Sequence, residues 1–132
     1  MAKKKKPANK KLSKKKIVKT TLAVADGSLH MLDRLYATIG SRRGADPSTS
    51  YTAKLMAHGR DKLAQKVGEE ATEVVIEAIK GDAGKLMLES ADLLYHLLAL
   101  WATLGVKPAQ VWDELARREG VSGVAEKAAR AG

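Results

Sequence analysis

The sequence predicts an all-α fold, a helical bundle of about five helices. Three observations lead there. Apolar residues recur at three- and four-residue spacing through most of the chain, glycine and proline fall between the periodic stretches, and no stretch alternates apolar with polar residues as a half-buried strand does. At 132 residues, 45% of them hydrophobic, one domain with a small core is expected.

The elements follow in order. Ser28 is placed to cap a first helix that carries Leu32, Leu35, Tyr36 and Ile39 on one face and ends at Gly40. "SRRGADPSTS" is a loop broken by Gly44 and Pro47. A short second helix runs from Tyr51 to near Gly59. The third begins with Asp61 as its cap and runs to Lys80, with Gly81 at its end. Gly68 inside it costs about 1 kcal/mol relative to alanine. Asp82 caps a long fourth helix that stops before Gly105. Pro108 opens a fifth, "AQVWDELARRE". The organisation expected is a lysine-rich tail over 1–27, the folded domain over 28–120, and an alanine-rich tail over 121–132 that frays.

The net charge of +9 suggests a nucleic-acid binder until it is located. Ten of the 24 basic residues lie between Met1 and Lys19, where there is no acid. The remaining 14 face all 15 acidic residues, so the body of the chain is nearly neutral. Such a tail repels itself and has little to bury, so disorder is expected there. It would hold nucleic acid only weakly, through counterion release. The absence of cysteine excludes a disulfide framework and any cysteine-ligated zinc. "MAKKKKPANKK" lacks the apolar core of a secretory signal, and no run reaches the length of a membrane span, so the expectation is a cytoplasmic protein with no membrane partner.

Acids in two apolar helices hold the functional signal. On the third helix Leu63, Val67, Ala71, Val74 and Ala78 share one face, and Lys66, Glu70, Glu73 and Glu77 stripe its flank. Glu69 lies further round, toward solvent. The fourth helix is apolar around most of its circumference, and Lys85, Glu89, Asp92, His96 and Thr103 form one narrow polar stripe. A helix of this kind is buried on most sides, either against a second copy of the chain or at the centre of a tight bundle. The short Gly81–Asp82 connection makes the two helices antiparallel. Glu73 and Glu89 are each eight residues from Gly81, and Glu70 and Asp92 are each eleven, so the two pairs share heights. Four carboxylates in one seam repel and need a cation. An all-oxygen set suits Mg²⁺, or Mn²⁺. His96 follows Asp92 by four, which leaves a transition metal open, though the histidine reads better as a polar group at the seam's edge.

"GEEATE" followed by "ESAD" gives E-E-x-x-E, fifteen residues, then E-x-x-D. This pattern resembles the all-α nucleoside triphosphate pyrophosphatase superfamily, which includes the MazG-like enzymes. Together with "LDRLYATI", "ADPSTSYTAKLMAHGRDKLAQKVGEEATEVVIEA" and "ESADLLYHLLALWATLGV", the chain from about residue 29 to 119 is similar to the phosphoribosyl-ATP pyrophosphatase family. The lysine tail has no counterpart in that pattern, and nothing resembles the cyclohydrolase domain sometimes fused to it.

The resemblance implies hydrolysis of phosphoribosyl-ATP to phosphoribosyl-AMP and pyrophosphate with Mg²⁺, the second step of histidine biosynthesis, in a homodimer. The alternative within the same acids is a general house-cleaning nucleotide pyrophosphatase. Glu70, Glu73, Glu89 and Asp92 are the expected metal ligands. Glu69 and Glu70 are the candidate catalytic acids, with Glu69 the base that takes a proton from water. Lys54, Arg60, Lys62 and Lys66 are candidate phosphate contacts, joined by the backbone N–H groups at Ser50 and Tyr51. Arg42 and Arg43, in a glycine-flanked loop, are the candidates for the extra ribose phosphate.

Overall fold

A computed structural model describes residues 30–132. The expected lysine-rich tail and the cap at Ser28 lie outside the described residues. The chain divides at Met31 into two units, and the architecture below is that of Leu32–Gly132. Its helices are α1 (Met31–Ser41, which opens on the last residue of the first unit), α2 (Tyr51–Ala57), α3 (Arg60–Lys80), α4 (Ala83–Leu104), α5 (Pro108–Arg118) and α6 (Gly123–Arg130). No strand occurs among the described residues, so the all-α class holds. None of these helices is long and apolar enough to cross a membrane.

Among the described residues the helices number six rather than about five, because the alanine-rich end folds. Ser122 accepts a hydrogen bond from the backbone N–H of Ala125 at 3.1 Å and starts α6. Glu126 is then buried against α5, accepting from Arg117 at 2.8 Å and lying 3.5 Å from Arg130. Charged contacts hold this end, and hydropathy alone does not register them.

Caps set the other boundaries. The Ser50 hydroxyl accepts from the N–H of Ala53 at 3.2 Å and begins α2. The cap of α3 is Gly59 at φ 85°, not Asp61; Asp61 sits in the first turn, where a negative charge suits the helix dipole. Gly81, at φ 73°, ends α3 in the left-handed region, and its N–H and that of Asp82 return to Ala78 O and Glu77 O at 3.1 and 3.2 Å. Asp82 then caps α4 by accepting from Lys85 N at 3.0 Å. Two residues therefore reverse the chain, and α3 and α4 pack as a hairpin along most of their length.

The core lies where α1 and α2 cover this hairpin. Ile39, Leu55, Leu63, Leu98, Ala99 and Ala102 form it, with Leu35, Tyr36, Tyr95 and Trp101 packed around them. The Tyr36 hydroxyl donates to Val106 O at 2.9 Å, and the Trp112 indole donates to Asp33 at 3.2 Å while meeting Trp101 edge to face. The turn end of the hairpin is different. Ile79 is 82% exposed, and Val75, Met87, Leu88 and Leu94 are exposed as well. There Ala78, expected in the core, is exposed while Glu77 is buried, which reverses the wheel over the last turns of α3.

Candidate cation and phosphate site

The hairpin register brings acids of both arms together. Glu70 of α3 and Glu89 and Asp92 of α4 each offer a carboxylate oxygen within 4.8 Å of the others. Glu70 and Glu89 are half-buried and Asp92 is exposed. Glu73 stands outside that group, yet among the surrounding charges it bears most on Glu89. Partial burial first, and then Glu73, Asp92, Glu70 and Glu77, hold the Glu89 carboxyl above the usual carboxylate range. A cluster of oxygen donors with uncompensated negative charge fits a hard divalent cation. His96, whose Nδ1 lies 3.8 Å from Glu70 Oε1, directs its hydrogen bonds elsewhere.

His96 is buried behind the cluster. Its Nδ1–H donates to Asp92 O, one turn back on α4, at 2.8 Å, and Nδ1 lies 3.8 Å from Glu70 Oε1. With the proton on Nδ1, Nε2 accepts from the Tyr51 hydroxyl at 3.3 Å. Tyr95 stacks on Tyr51, crosses His96 edge to face, and hydrogen-bonds Thr52 through its hydroxyl. Apolar periodicity and acid spacing do not reveal this set. The signal for it was the "YH" pair inside the apolar fourth helix, which puts two polar tips on its α2-facing side.

Tyr51 also forms one wall of an open groove of about 720 Å³, lined further by Ser48, Thr49, Ser50, Lys54 and His58. Asp46 shapes this rim. It accepts from the N–H and the hydroxyl of Ser48, both at 2.8 Å, and those bonds hold its carboxyl below the ordinary value. Of the expected phosphate contacts, Lys54, Ser50 and Tyr51 line the groove, and Arg60, Lys62 and Lys66 do not.

The other candidates have partners of their own. Lys66 pairs with Glu69 at 2.9 Å. Glu69 also accepts from Gln65 at 2.9 Å, and the Lys66 bond keeps its carboxyl low while raising the lysine. Lys62 donates to Gln65 at 3.3 Å, and Arg60 meets Asp61 at 3.4 Å with both exposed. Arg43 donates to Ala102 O, near the end of α4, and so fastens the loop to the bundle. Arg42 is exposed, and its backbone N–H closes a turn on Ile39 O at 3.1 Å. Glu77, the last acid of the α3 stripe, is buried. It pairs with Lys80 at 2.9 Å through Oε1, while Oε2 is buried with no hydrogen-bond partner.

A helical hairpin that converges carboxylates from both arms, next to a groove of hydroxyls and lysine, has the chemistry to hold a hard cation and a phosphate-bearing ligand. The comparisons agree in kind. Residues 32–119 match the family model of phosphoribosyl-ATP pyrophosphohydrolase, and the chain belongs to that family. It is 64% identical over 103 residues to the phosphoribosyl-ATP pyrophosphatase of Azospirillum brasilense, covering 78% of this chain and 93% of that one. It is 61% identical over 100 residues to the protein of the same name from Gluconobacter oxydans, covering 76% of this chain and 75% of that one. The Granulibacter bethesdensis protein of that name is 49% identical over 125 residues, covering 95% of this chain and 78% of the relative.

Proposed function

We propose that this chain hydrolyses phosphoribosyl-ATP to phosphoribosyl-AMP and pyrophosphate, the second step of histidine biosynthesis. One observation carries the reading: Glu70, Glu89 and Asp92 converge from two helices inside the segment that matches the family. These acids, with Glu73 one turn along α3, hold Mg²⁺, or Mn²⁺ in its place. The cation supplies charge neutralisation for phosphate oxygens and polarisation of a water. Lys54 binds the phosphate chain from the groove wall, with the Ser50 and Tyr51 backbone beside it. Lys62 and Arg60 follow along α3 and reach phosphate oxygens by giving up exposed partners, and Lys66 reaches them without leaving Glu69. Glu69, kept ionised by Lys66, takes the proton of the attacking water, and Glu70 orients that water from the adjoining position. Arg42 and Arg43 meet the ribose phosphate that distinguishes this substrate from ATP.

The apolar turn end of the hairpin is the surface for a second copy, since an isolated chain leaves Val75, Ile79, Met87 and Leu88 in water. Pyrophosphate release from phosphoribosyl-ATP, beside ATP and other triphosphates, tests the assignment. Strong preference for phosphoribosyl-ATP, silenced by EDTA and restored by Mg²⁺, is expected. Equal rates on ATP would move the chain to a general nucleotide pyrophosphatase, and full activity in excess EDTA would remove the cation.

A further inference from the structure

We propose that His96 is a positioning residue that couples the cation cluster to the substrate groove. The inference deepens the function proposed above and rests on it. Among the described residues, His96 is the buried side chain with one ring nitrogen toward each half of the site. Nδ1–H donates to Asp92 O at 2.8 Å and stands 3.8 Å from Glu70 Oε1. Nε2 accepts from Tyr51, whose ring forms the groove wall. The imidazole is only 5% exposed and is fixed edge-on by Tyr51 and Tyr95, so it cannot tilt without moving one of its partners.

The two contacts act differently. The Nδ1–H group, bonded to Asp92 O and 3.8 Å from the Glu70 carboxylate, keeps that carboxylate turned inward as a ready oxygen donor. The acceptor at Nε2 holds the Tyr51 hydroxyl and with it the ring that flanks Lys54. Substrate spanning the groove and the acids therefore meets two surfaces set by one side chain. The hydrogen bond between Nδ1 and backbone fixes the tautomer, and the tautomer leaves Nε2 free to accept. His96 does not touch the reacting atoms; its effect passes through Glu70 and Tyr51.

The contacts can be separated by substitution. His96→Asn keeps a donor near the Nδ1 position and loses the Tyr51 contact. His96→Gln keeps an acceptor near Nε2 and loses the bond to Asp92 O. His96→Phe loses both, and Tyr51→Phe removes the hydroxyl at an exposed position where folding is not at stake. Mn²⁺ binding by the full chain without substrate, read from the free-ion EPR signal, reports the first contact. KM against kcat for phosphoribosyl-ATP reports the second. His96→Phe and His96→Gln are expected to weaken Mn²⁺ binding about five- to tenfold, the scale of a lost supporting hydrogen bond, and His96→Asn to stay within about twofold. Tyr51→Phe and His96→Asn are expected to raise KM about three- to tenfold with a smaller change in kcat. Asparagine weakening Mn²⁺ binding as much as phenylalanine would overturn the proposal. So would an unchanged KM in Tyr51→Phe, which keeps the test alive if His96→Phe does not fold. The Mn²⁺ measurement uses no substrate, so a chain inactive on phosphoribosyl-ATP defeats the functional reading separately.

Discussion

Glu77→Met should stabilise the protein, and the structure allows the size to be worked out. Glu77 is 5% exposed, and its Oε2 has no hydrogen-bond partner among the described residues. A buried polar atom left unpaired costs about 1–3 kcal/mol. Its only compensation is the 2.9 Å pair between Oε1 and Lys80, whose side chain is 57% exposed. Pairs that wet are worth about 0–1 kcal/mol. Methionine is unbranched, of similar length, and fills irregular space well. The balance favours the variant by about 1–2 kcal/mol. For a domain of this size that raises the melting temperature by roughly 4–16 °C. The measurement is thermal and urea unfolding in EDTA, with matched protein concentration so that any self-association weighs equally on both melts. Destabilisation by 1 kcal/mol or more would refute the reasoning. It would mean that Oε2 has a partner in the working protein, and Mn²⁺ titration of the same variant would identify whether that partner is the cation.

Five further outcomes are expected. Glu89→Gln should raise the melting temperature in EDTA at pH 7 and abolish the rise that Mg²⁺ gives the unmodified chain. The sign follows from the raised Glu89 carboxyl: ionising it works against the fold, so this contribution favours stability below its folded value and is lost as pH rises through it. Glu114 runs the opposite way, held down to about 2 by Arg117 and Arg118, so its contribution is present above the ordinary carboxylate range and is lost only as pH falls toward about 2. Glu126→Gln should loosen α6, seen as faster proteolysis near residue 122 and a weaker response of that cleavage to salt; unchanged protection would show that the arginine contacts do not hold the helix. Gly68→Ala, at a helical position where an added β-carbon meets nothing within 4 Å, should stabilise by about 0.5–1 kcal/mol; a loss of activity without loss of stability would show substrate passing close to that backbone. Leu88→Asp should leave the helical signal intact and reduce the mass seen by light scattering from dimer to monomer.

Much of this was legible in the sequence because helices announce themselves twice, by periodicity and by caps. Ser50, Gly81, Asp82, Gly105 and Pro108 all mark boundaries that the structure keeps. The two-residue connection makes counting from Gly81 meaningful: it sets Glu73 level with Glu89 and Glu70 level with Asp92, and the structure brings Glu70, Glu89 and Asp92 together. Three things were less legible. The cap of α3 is a backbone conformation at Gly59, and the nearby aspartate was the more conspicuous signal. α6 is held by Glu126 among arginines, which a hydropathy reading passes over as solvated charge. The basic residues of α3 look alike in sequence, but Lys66 pairs with Glu69, Arg60 with Asp61 and Lys62 with Gln65, whereas Lys54 of α2 lines the groove. Pairing between side chains on one helix is decided by rotamers, and spacing alone does not fix those.

The Gly81–Asp82 turn also limits how the gene can drift. Both halves of the acid cluster are phased from that turn, one counted backward and one forward. A single codon inserted on either arm would rotate every acid beyond it by about 100° and carry it out of the seam. Lengthening one arm by a whole turn would restore the angle and spoil the height. Only paired changes of about seven residues, one turn on each arm, leave the cluster standing. The hairpin tip can therefore grow or shrink in steps and not continuously, so length variants at this turn should be quantised where loops such as 42–50 can vary one residue at a time.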